Sequence, residues 1–463
     1  MLFNSYPFLF LFLPALLAGA LALPKHLKPL LLLASLIFYG SNSLSYLLIL
    51  IFNTVVVYGL SFQVARRGKA FLAMALSICL APLFFFKYSS FTLSLLELSN
   101  PWSLALPLGI SFFSFQQAAY LVDVYRDRKS HTSLNDFLLF IFFFPQLIAG
   151  PIVHHQELIP QFPKIGLRWS QLEPAFLYFS IGFFKKVVLA DNFGLMATQF
   201  YQGIENGLMF HSIEVWTNTL AYTLQIYFDF SGYCDMAMGL ALLFGLRLPI
   251  NFDSPYKSTS LVEFWRRWHI TLSHFLRDYV YFPMGGGRVH PLRKSLNLII
   301  TMVIGGFWHG AGWTFLFWGT IHGIGLATQH LLKGILTFPR WLSLLFTFLF
   351  VHLGWVAFRG QSMKTVLEIY RQLFFLDGLV LPGEFFNHHA PPWITLYGEY
   401  HGTPLFHVTI GLLIIFLLKN SHQLVQFLIE SQRRWLFALF SSTLFITSIF
   451  NSSGLSEFLY YHF

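Results

Sequence analysis

The sequence predicts an all-α integral membrane protein, a single polytopic domain over residues 1–463, and three observations carry that expectation. Charged residues make up 11% of the chain, against roughly 25% in a soluble globular domain. Hydrophobic residues make up 56%, with 56 phenylalanines among them. The apolar residues are gathered into runs long enough for membrane helices, which need roughly 20 residues each. A soluble core of this size needs a charged shell that the composition cannot supply. A soluble enzyme, a disordered chain and a coiled coil are therefore excluded. The net charge of +9 does not point to nucleic acid, because the basic residues sit in short clusters between apolar runs, as anchors at a cytoplasmic membrane face do. The lipid bilayer is the expected partner. Cys79 and Cys234 lie inside apolar stretches and do not reveal a redox compartment.

In chain order, Tyr6–Leu23 is the first candidate helix. Ala18, Gly19 and Ala20 mimic a cleavage site, but no Lys or Arg precedes the run, so a retained helix is expected. Leu30–Tyr39 continues after a break into Leu44–Phe62, followed by Phe71–Phe86, Leu104–Val122, Phe137–Ile152, Ala175–Leu189 and Trp216–Phe244. Leu296–Leu316, Phe317–Leu332, Trp341–Phe358, Phe406–Leu418 and Leu436–Phe450 complete roughly 11–13 spans. Arg66, Arg67 and Lys69 form one basic cluster, Arg126, Arg128 and Lys129 another, and Lys185 and Lys186 a third. The largest is Arg266, Arg267, Arg277, Arg288, Arg293 and Lys294. All are expected at the cytoplasmic face. Residues 372–418 hold no Lys or Arg, and 376–404 is expected as a periplasmic loop. No internal repeat aligns, so the usual signal of an inverted-repeat transporter is missing.

One segment departs from the spanning pattern. Ser260-Leu261-Val262-Glu263 reads as a capping box that starts a helix, and Pro283 stops it. At about 100° per residue, Trp265, Trp268, Leu272, Phe275, Leu276 and Tyr279 share one stripe, and Arg266, Arg267, His274, Arg277 and Asp278 the opposite arc. Such a helix lies in the interface, as a surface anchor or as part of a site. His269 falls at about 40° on this wheel, on the apolar stripe, as a packed core residue or a site residue. Gly285-Gly286-Gly287-Arg288 follows, a plain loop or a weak anion cradle.

Two histidines stand inside apolar runs: His309 in Gly305-Gly306-Phe307-Trp308-His309-Gly310, and His322 in Trp318-Gly319-Thr320-Ile321-His322-Gly323. Ionisable groups at membrane depth are costly and tend to face a cavity or pathway. On one unbroken helix the two rings would stand about 20 Å and about 220° apart, so either the glycines break the helix or the roles differ. No GxSxG, HExxH or P-loop motif is present. The adjacent pairs His154-His155 and His388-His389 are poorly spaced for a metal. A neutral imidazole suits two chemistries, general base for a hydroxyl attacking an activated acyl group, or proton relay in a transporter.

Several longer motifs occur in order: Phe143-Phe144-Pro145-Gln146-Leu147-Ile148-Ala149-Gly150-Pro151-Ile152, Asn251-Phe252-Asp253-Ser254-Pro255-Tyr256, Phe264-Trp265-Arg266-Arg267-Trp268-His269, Leu276-Arg277-Asp278-Tyr279, the His309 motif, and Phe458-Leu459-Tyr460-Tyr461-His462-Phe463. Together they resemble bacterial membrane-bound O-acyltransferases, above all the branch that O-acetylates alginate and peptidoglycan. The teichoic acid D-alanyl transferase is a more distant cousin. The resemblance implies spanning helices plus reentrant or interfacial helices around a central tunnel, with 251–325 as the catalytic core segment. It implies acetyl-CoA as donor, no metal, and a multi-pass place in the bacterial inner membrane. His309 matches the catalytic histidine, His269 a position that orients the site, and His322 a second histidine of the branch. Arg266, Arg267, Arg288 and Trp308 are taken as facing the donor. The acceptor is an envelope polysaccharide or a periplasmic SGNH-type acetyltransferase partner. A transporter or flippase that moves its cargo intact, without consuming a thioester, is the competing expectation, and a scaffold for an envelope complex the third.

Overall fold

The computed structural model describes residues 1–99, 105–129, 132–332, 334–335, 338–374, 404–431, 434–452 and 458–459. The expected periplasmic loop at 376–404, apart from Pro404, and the His388-His389 pair lie outside the described residues. Among the described residues the regular structure is helical, as expected.

The chain enters through a π-helical turn, Phe8–Phe12, into α1 (Leu13–Ala22), and then bends by 111° into the stretch that carries α2 (Leu27–Gly40). α3 (Leu44–Val64) starts at Ser43, whose hydroxyl accepts from the Tyr46 N–H at 3.3 Å. α4 (Lys69–Leu83) and α5 (Ser89–Leu95) form one continuous span with a π-helical turn, Phe84–Tyr88, between them. Pro82 supplies no N–H and crowds the preceding turn, which loosens the helix where that π turn begins. α6 (Ile110–Asp127), α7 (Leu134–Phe142), α8 (Phe144–Leu147), α9 (His155–Leu158), α10 (Leu172–Phe184), α11 (Asp191–Glu205) and α12 (Ser212–Leu243) follow. Next come α13 (Leu261–Arg267), α14 (Ile270–Leu276), α15 (Pro291–His309), α16 (Trp313–Leu331), α17 (Arg340–Arg359) and α18 (Met363–Phe374). α19 (Pro404–Leu417), α20 (Ser421–Glu430) and α21 (Arg434–Asn451) close the described chain.

Among the described residues, three stretches are single helices long and apolar enough to cross a membrane: Leu44–Val64, Lys69–Leu95 and Arg340–Arg359. Two bent pairs also qualify, the N-terminal one and α19 with α20, which meet at 60°. Fewer elements are uniform spans than the apolar runs suggested, and the reason is burial. α12 runs for 32 residues, is covered by protein along most of its length, and carries Asp229 and Asp235. The run Phe137–Ile152 splits into most of α7, α8 and a loop, and is buried except for the half-buried Leu138. Irregular or polar backbone is tolerated at membrane depth where protein, not lipid, surrounds it.

The basic loops gather at one end of the bundle. Arg128 donates to the Arg67 carbonyl (3.0 Å) and Arg126 to the Asp278 carbonyl (3.0 Å). Gln156 reaches Asp127 (3.3 Å), and Gln161 reaches the Arg247 carbonyl (3.1 Å). Lys185 and Lys186 do not join that end, against expectation. They sit within a π-helical segment, Lys185–Ala190, and are buried against carboxylates: Lys185 on Asp235 (2.8 Å), Lys186 on Asp229 (2.8 Å) and Asp191 (2.9 Å). A charge compensated in the interior does not need the surface.

α15 and α16 form an antiparallel hairpin that turns at Gly310-Ala311-Gly312. The glycines therefore do break the helix, and His309 and His322 stand on separate helices. The hairpin is tight enough that a Cβ on Gly319 would lie 2.4 Å from the Met302 carbonyl oxygen.

Candidate active site

His269 is not in the middle of an amphipathic helix. α13 stops at Arg267, His269 adopts φ +43°, and α14 starts at Ile270. The periodicity of the sequence missed this break because its cause is tertiary. The extended stretch 251–253 lies alongside and takes over the backbone: Ile270 N–H donates to the Asn251 carbonyl (3.1 Å) and Asp253 N–H to the Arg267 carbonyl (3.0 Å). A left-handed conformation at a non-glycine residue is strained and persists where the surroundings over-determine it.

Asn251 fixes the chemistry of that ring. Its Oδ1 accepts from the Thr271 N–H (3.2 Å) and the Thr271 hydroxyl (3.0 Å), which settles which side of the amide is oxygen. His269 Nδ1 lies 3.2 Å from the same oxygen and must be the donor. The lone pair is then on Nε2. The Thr271 hydroxyl accepts in turn from the Ile152 N–H (2.9 Å). Two of the motifs noted in the sequence thus meet in one hydrogen-bonded chain behind His269.

His309 ends α15, 3% exposed, with its ring centroid 6.3 Å from that of His269. That separation makes the two imidazoles neighbours in one site. Trp308 (4.8 Å), Trp318 (5.3 Å) and Phe358 (5.0 Å) wall the ring. On one side His309 borders a cavity of about 20 Å³, room for about one water. Lys87, Gly109, Ser111, Phe112 and Trp308 also line it. This cavity belongs to the end of the bundle opposite the basic loops, where the Leu108 carbonyl meets the Tyr39 hydroxyl (2.9 Å).

A second approach comes from the basic end. A cavity of about 760 Å³ is lined there by Glu173, Tyr178, Arg247 and His422 with apolar walls. It shares Met238, Ile250 and His422 with a small cavity of about 10 Å³ that borders Asn251. Cavities therefore border His309 from one end and Asn251, the hydrogen-bond partner of His269, from the other.

The other expected site residues divide. Trp308 lines the His309 cavity and donates its indole N–H to the Ser111 carbonyl (3.3 Å). His322 is fully buried and lies one tryptophan away, 4.9 Å from the Trp318 ring whose centroid is 5.3 Å from His309. Arg266 and Arg288 are exposed, and Arg267 pairs with Glu263 (2.9 Å). None of the three borders the His309 cavity. The triglycine run is a plain loop, with Gly285 and Gly286 donating their N–H groups to Phe282 and Tyr281.

Sequence reasoning missed two residues. Asn251 lay in a quoted motif without a role. Lys87 lay one residue beyond the apolar run Phe71–Phe86, and an ionisable residue at the edge of such a run was itself the signal.

The buried imidazole pair thus stands inside a helical membrane bundle, with one cavity against His309 and another against Asn251. The chain belongs to the membrane-bound O-acyltransferase family, whose profile matches residues 43–362. It is a multi-pass membrane enzyme. A peptidoglycan O-acetyltransferase of Helicobacter pylori is 39% identical, over 100% of this chain and 98% of that protein. A probable alginate O-acetylase, AlgI, of Pseudomonas aeruginosa is 38% identical over 81% of this chain and 75% of its own length. A teichoic acid D-alanyltransferase of Streptococcus thermophilus is 33% identical over 47% of this chain and 55% of its own.

Proposed function

We propose that this protein is an acetyltransferase of the bacterial inner membrane. It takes the acetyl group from acetyl-CoA at the basic, cytoplasmic end and delivers it for O-acetylation of an envelope polysaccharide of the peptidoglycan or alginate kind. His309 is the general base. It removes the proton of the attacking hydroxyl, directly or through one water, and returns it to the departing thiolate. His269, held in one tautomer by Asn251, orients the reacting groups. The acceptor hydroxyl is that of a sugar or of a serine on a periplasmic SGNH-type partner; both are alcohols and need the same base. Arg266, Arg267 and Arg288, at the basic end, meet the phosphates of the donor as it arrives.

The observation that carries this reading is the His269–His309 pair, with ring centroids 6.3 Å apart, a cavity against His309 on one side and a small cavity of about 10 Å³ bordering Asn251 on the other. The match across nearly the whole of the peptidoglycan O-acetyltransferase makes peptidoglycan the first polymer to assay. His309→Ala is expected to lower acetyl transfer by about 10²–10⁴-fold while the protein still inserts. The measurement is thiol release from acetyl-CoA by membranes, with ester-linked acetyl content of each envelope polymer in a complemented deletion strain. Undiminished thiol release by His309→Ala would remove the mechanism. A wild-type protein that consumes no thioester would return the reading to a transporter.

A further inference from the structure

We propose that Lys87 is a second catalytic group of this site, the cation that stabilises the negative oxygen formed on the acyl carbonyl during transfer. The inference rests on the acyl-transfer reading above.

Lys87 and His309 line the same water-sized cavity. The Lys87 ammonium donates to the Trp308 carbonyl (2.6 Å) and to the Ser111 hydroxyl (3.0 Å). An ammonium has three N–H donors, so one remains for a group in the cavity. Among the described residues Lys87 forms no ion pair, so its charge is met by neutral groups, the two oxygens and the face of the Trp308 ring 5.8 Å away. The neighbouring residue explains how it is held there. The Tyr88 hydroxyl donates to the Phe307 carbonyl (3.0 Å). The π turn after Pro82 thus presses two successive donors onto the last carbonyls of α15, the helix that ends in His309. Base and cation are fixed to each other through one short stretch of backbone.

The hydroxyl oxygen bonds to the acyl carbon, its proton goes to His309, and the C=O π pair moves onto the carbonyl oxygen. The third Lys87 N–H donates to that oxyanion. When the C=O bond re-forms, the C–S bond breaks, and the thiolate takes the proton from the His309 imidazolium. A preorganised donor aimed at developing charge in a dry site is worth about 10²–10³-fold in rate.

A purely structural role is the rival. Lys87 would then be only a cap on the α15 C-terminus, as Tyr88 is. Purified protein assayed for thiol release from acetyl-CoA separates the two. Lys87→Met is expected to lower kcat by about 10²–10³-fold, with KM for acetyl-CoA and the melting temperature close to wild type. Lys87→Arg, which keeps a cationic donor, is expected to regain at least about tenfold of that loss. Tyr88→Phe, which removes only a cap, is expected to keep kcat within about threefold. Lys87→Met with wild-type kcat would overturn the proposal. So would a loss that merely follows a lowered melting temperature and that Lys87→Arg does not repair. A wild-type protein that releases no thiol overturns the acyl-transfer reading together with this one, whereas an active wild type with an active Lys87→Met overturns this one alone.

Discussion

Two regions of the bundle draw buried or half-buried lysines inward, and they partner them in opposite ways. In the π-helical segment after α10, each lysine meets carboxylates. Lys186 touches Asp229 and Asp191, and Lys185 touches Asp235 together with the hydroxyls of Ser421 (2.6 Å) and Ser231 (3.3 Å). In the π turn after α4, Lys87 meets a carbonyl and a hydroxyl and no carboxylate among the described residues. Burying an ion costs several kcal/mol, and a partner of opposite charge returns most of that. The first region therefore holds α10, α11 and α12 together at little net cost. The second keeps a charge under-compensated beside an imidazole. An ionisable group left so at membrane depth is a functional-site candidate, in line with the role proposed for Lys87.

The two regions are expected to differ most in stability. Lys186→Met leaves Asp229, with its side chain 2% exposed, and Asp191 facing an apolar side chain. Loss of about 3–5 kcal/mol is expected, read as a lowered melting temperature or as loss of folded protein from the membrane. Lys186→Met combined with Asp229→Asn should recover part of it, because the worst of the uncompensated charge is then gone. Activity per folded molecule should stay near wild type in the double variant. A Lys186→Met protein as stable as wild type, but with its chemistry lost, would mean that the two regions had been assigned the wrong way round.

Asn251 acts on the site without a charge of its own. It sets the tautomer of His269 through one oxygen that takes three donors. Asn251→Ala frees the ring to rotate and to exchange its proton between nitrogens. A loss of about 10–100-fold in kcat is expected from misplacement of this kind, with binding of the donor little changed. Kinetics with acetyl-CoA in membranes check it. A loss confined to KM would place Asn251 in binding instead.

How much of this the chain displayed before folding differs by feature. The membrane class was plain in 11% charge and 56% hydrophobic content. His309 stood out because a titratable group inside an apolar run has few bland explanations. His269 was found for a reason that proved incomplete. The wheel placed it on a helix stripe, but the ring is aimed by a helix break, and that break comes from the extended stretch 251–253 hydrogen-bonding across residues 267–270. Periodicity reports local spacing and is blind to a neighbouring strand-like segment. Lys185 and Lys186 misled for the same reason. Two adjacent basic residues beside an apolar run look like a cytoplasmic anchor until the carboxylates of α11 and α12 arrive from elsewhere in the chain. Lys87 was hidden by a boundary. A hydropathy run ends at the first charge, so the charge that mattered fell just outside the helix it belongs to.

The smallest effect belongs to a third kind of ion pair, at the basic end and open to solvent. The Glu263 carboxylate meets Arg267 (2.9 Å) and also takes the Thr259 N–H (2.8 Å) and hydroxyl (2.9 Å). Partial burial pushes its carboxyl up, but the two Thr259 hydrogen bonds and the Arg267 guanidinium outweigh that and hold it below the usual carboxylate range. The folded state therefore favours the ionised form more than the unfolded chain does. That contribution is fully present above the unfolded value, near 4.5, and is lost as pH falls through the lower folded value. Because solvent screens the pair, it is worth about 0.5 kcal/mol or less. Glu263→Gln should leave the melting temperature within about 1–2 °C of wild type at pH 7 and flatten a small part of the acid-side decline below pH 4.5. The Lys186 variants should show no comparable change with mild acid, since their loss comes from buried charge. A Glu263→Gln protein destabilised as severely as Lys186→Met would show that exposure does not separate these ions and that the contrast between the buried lysines needs another cause.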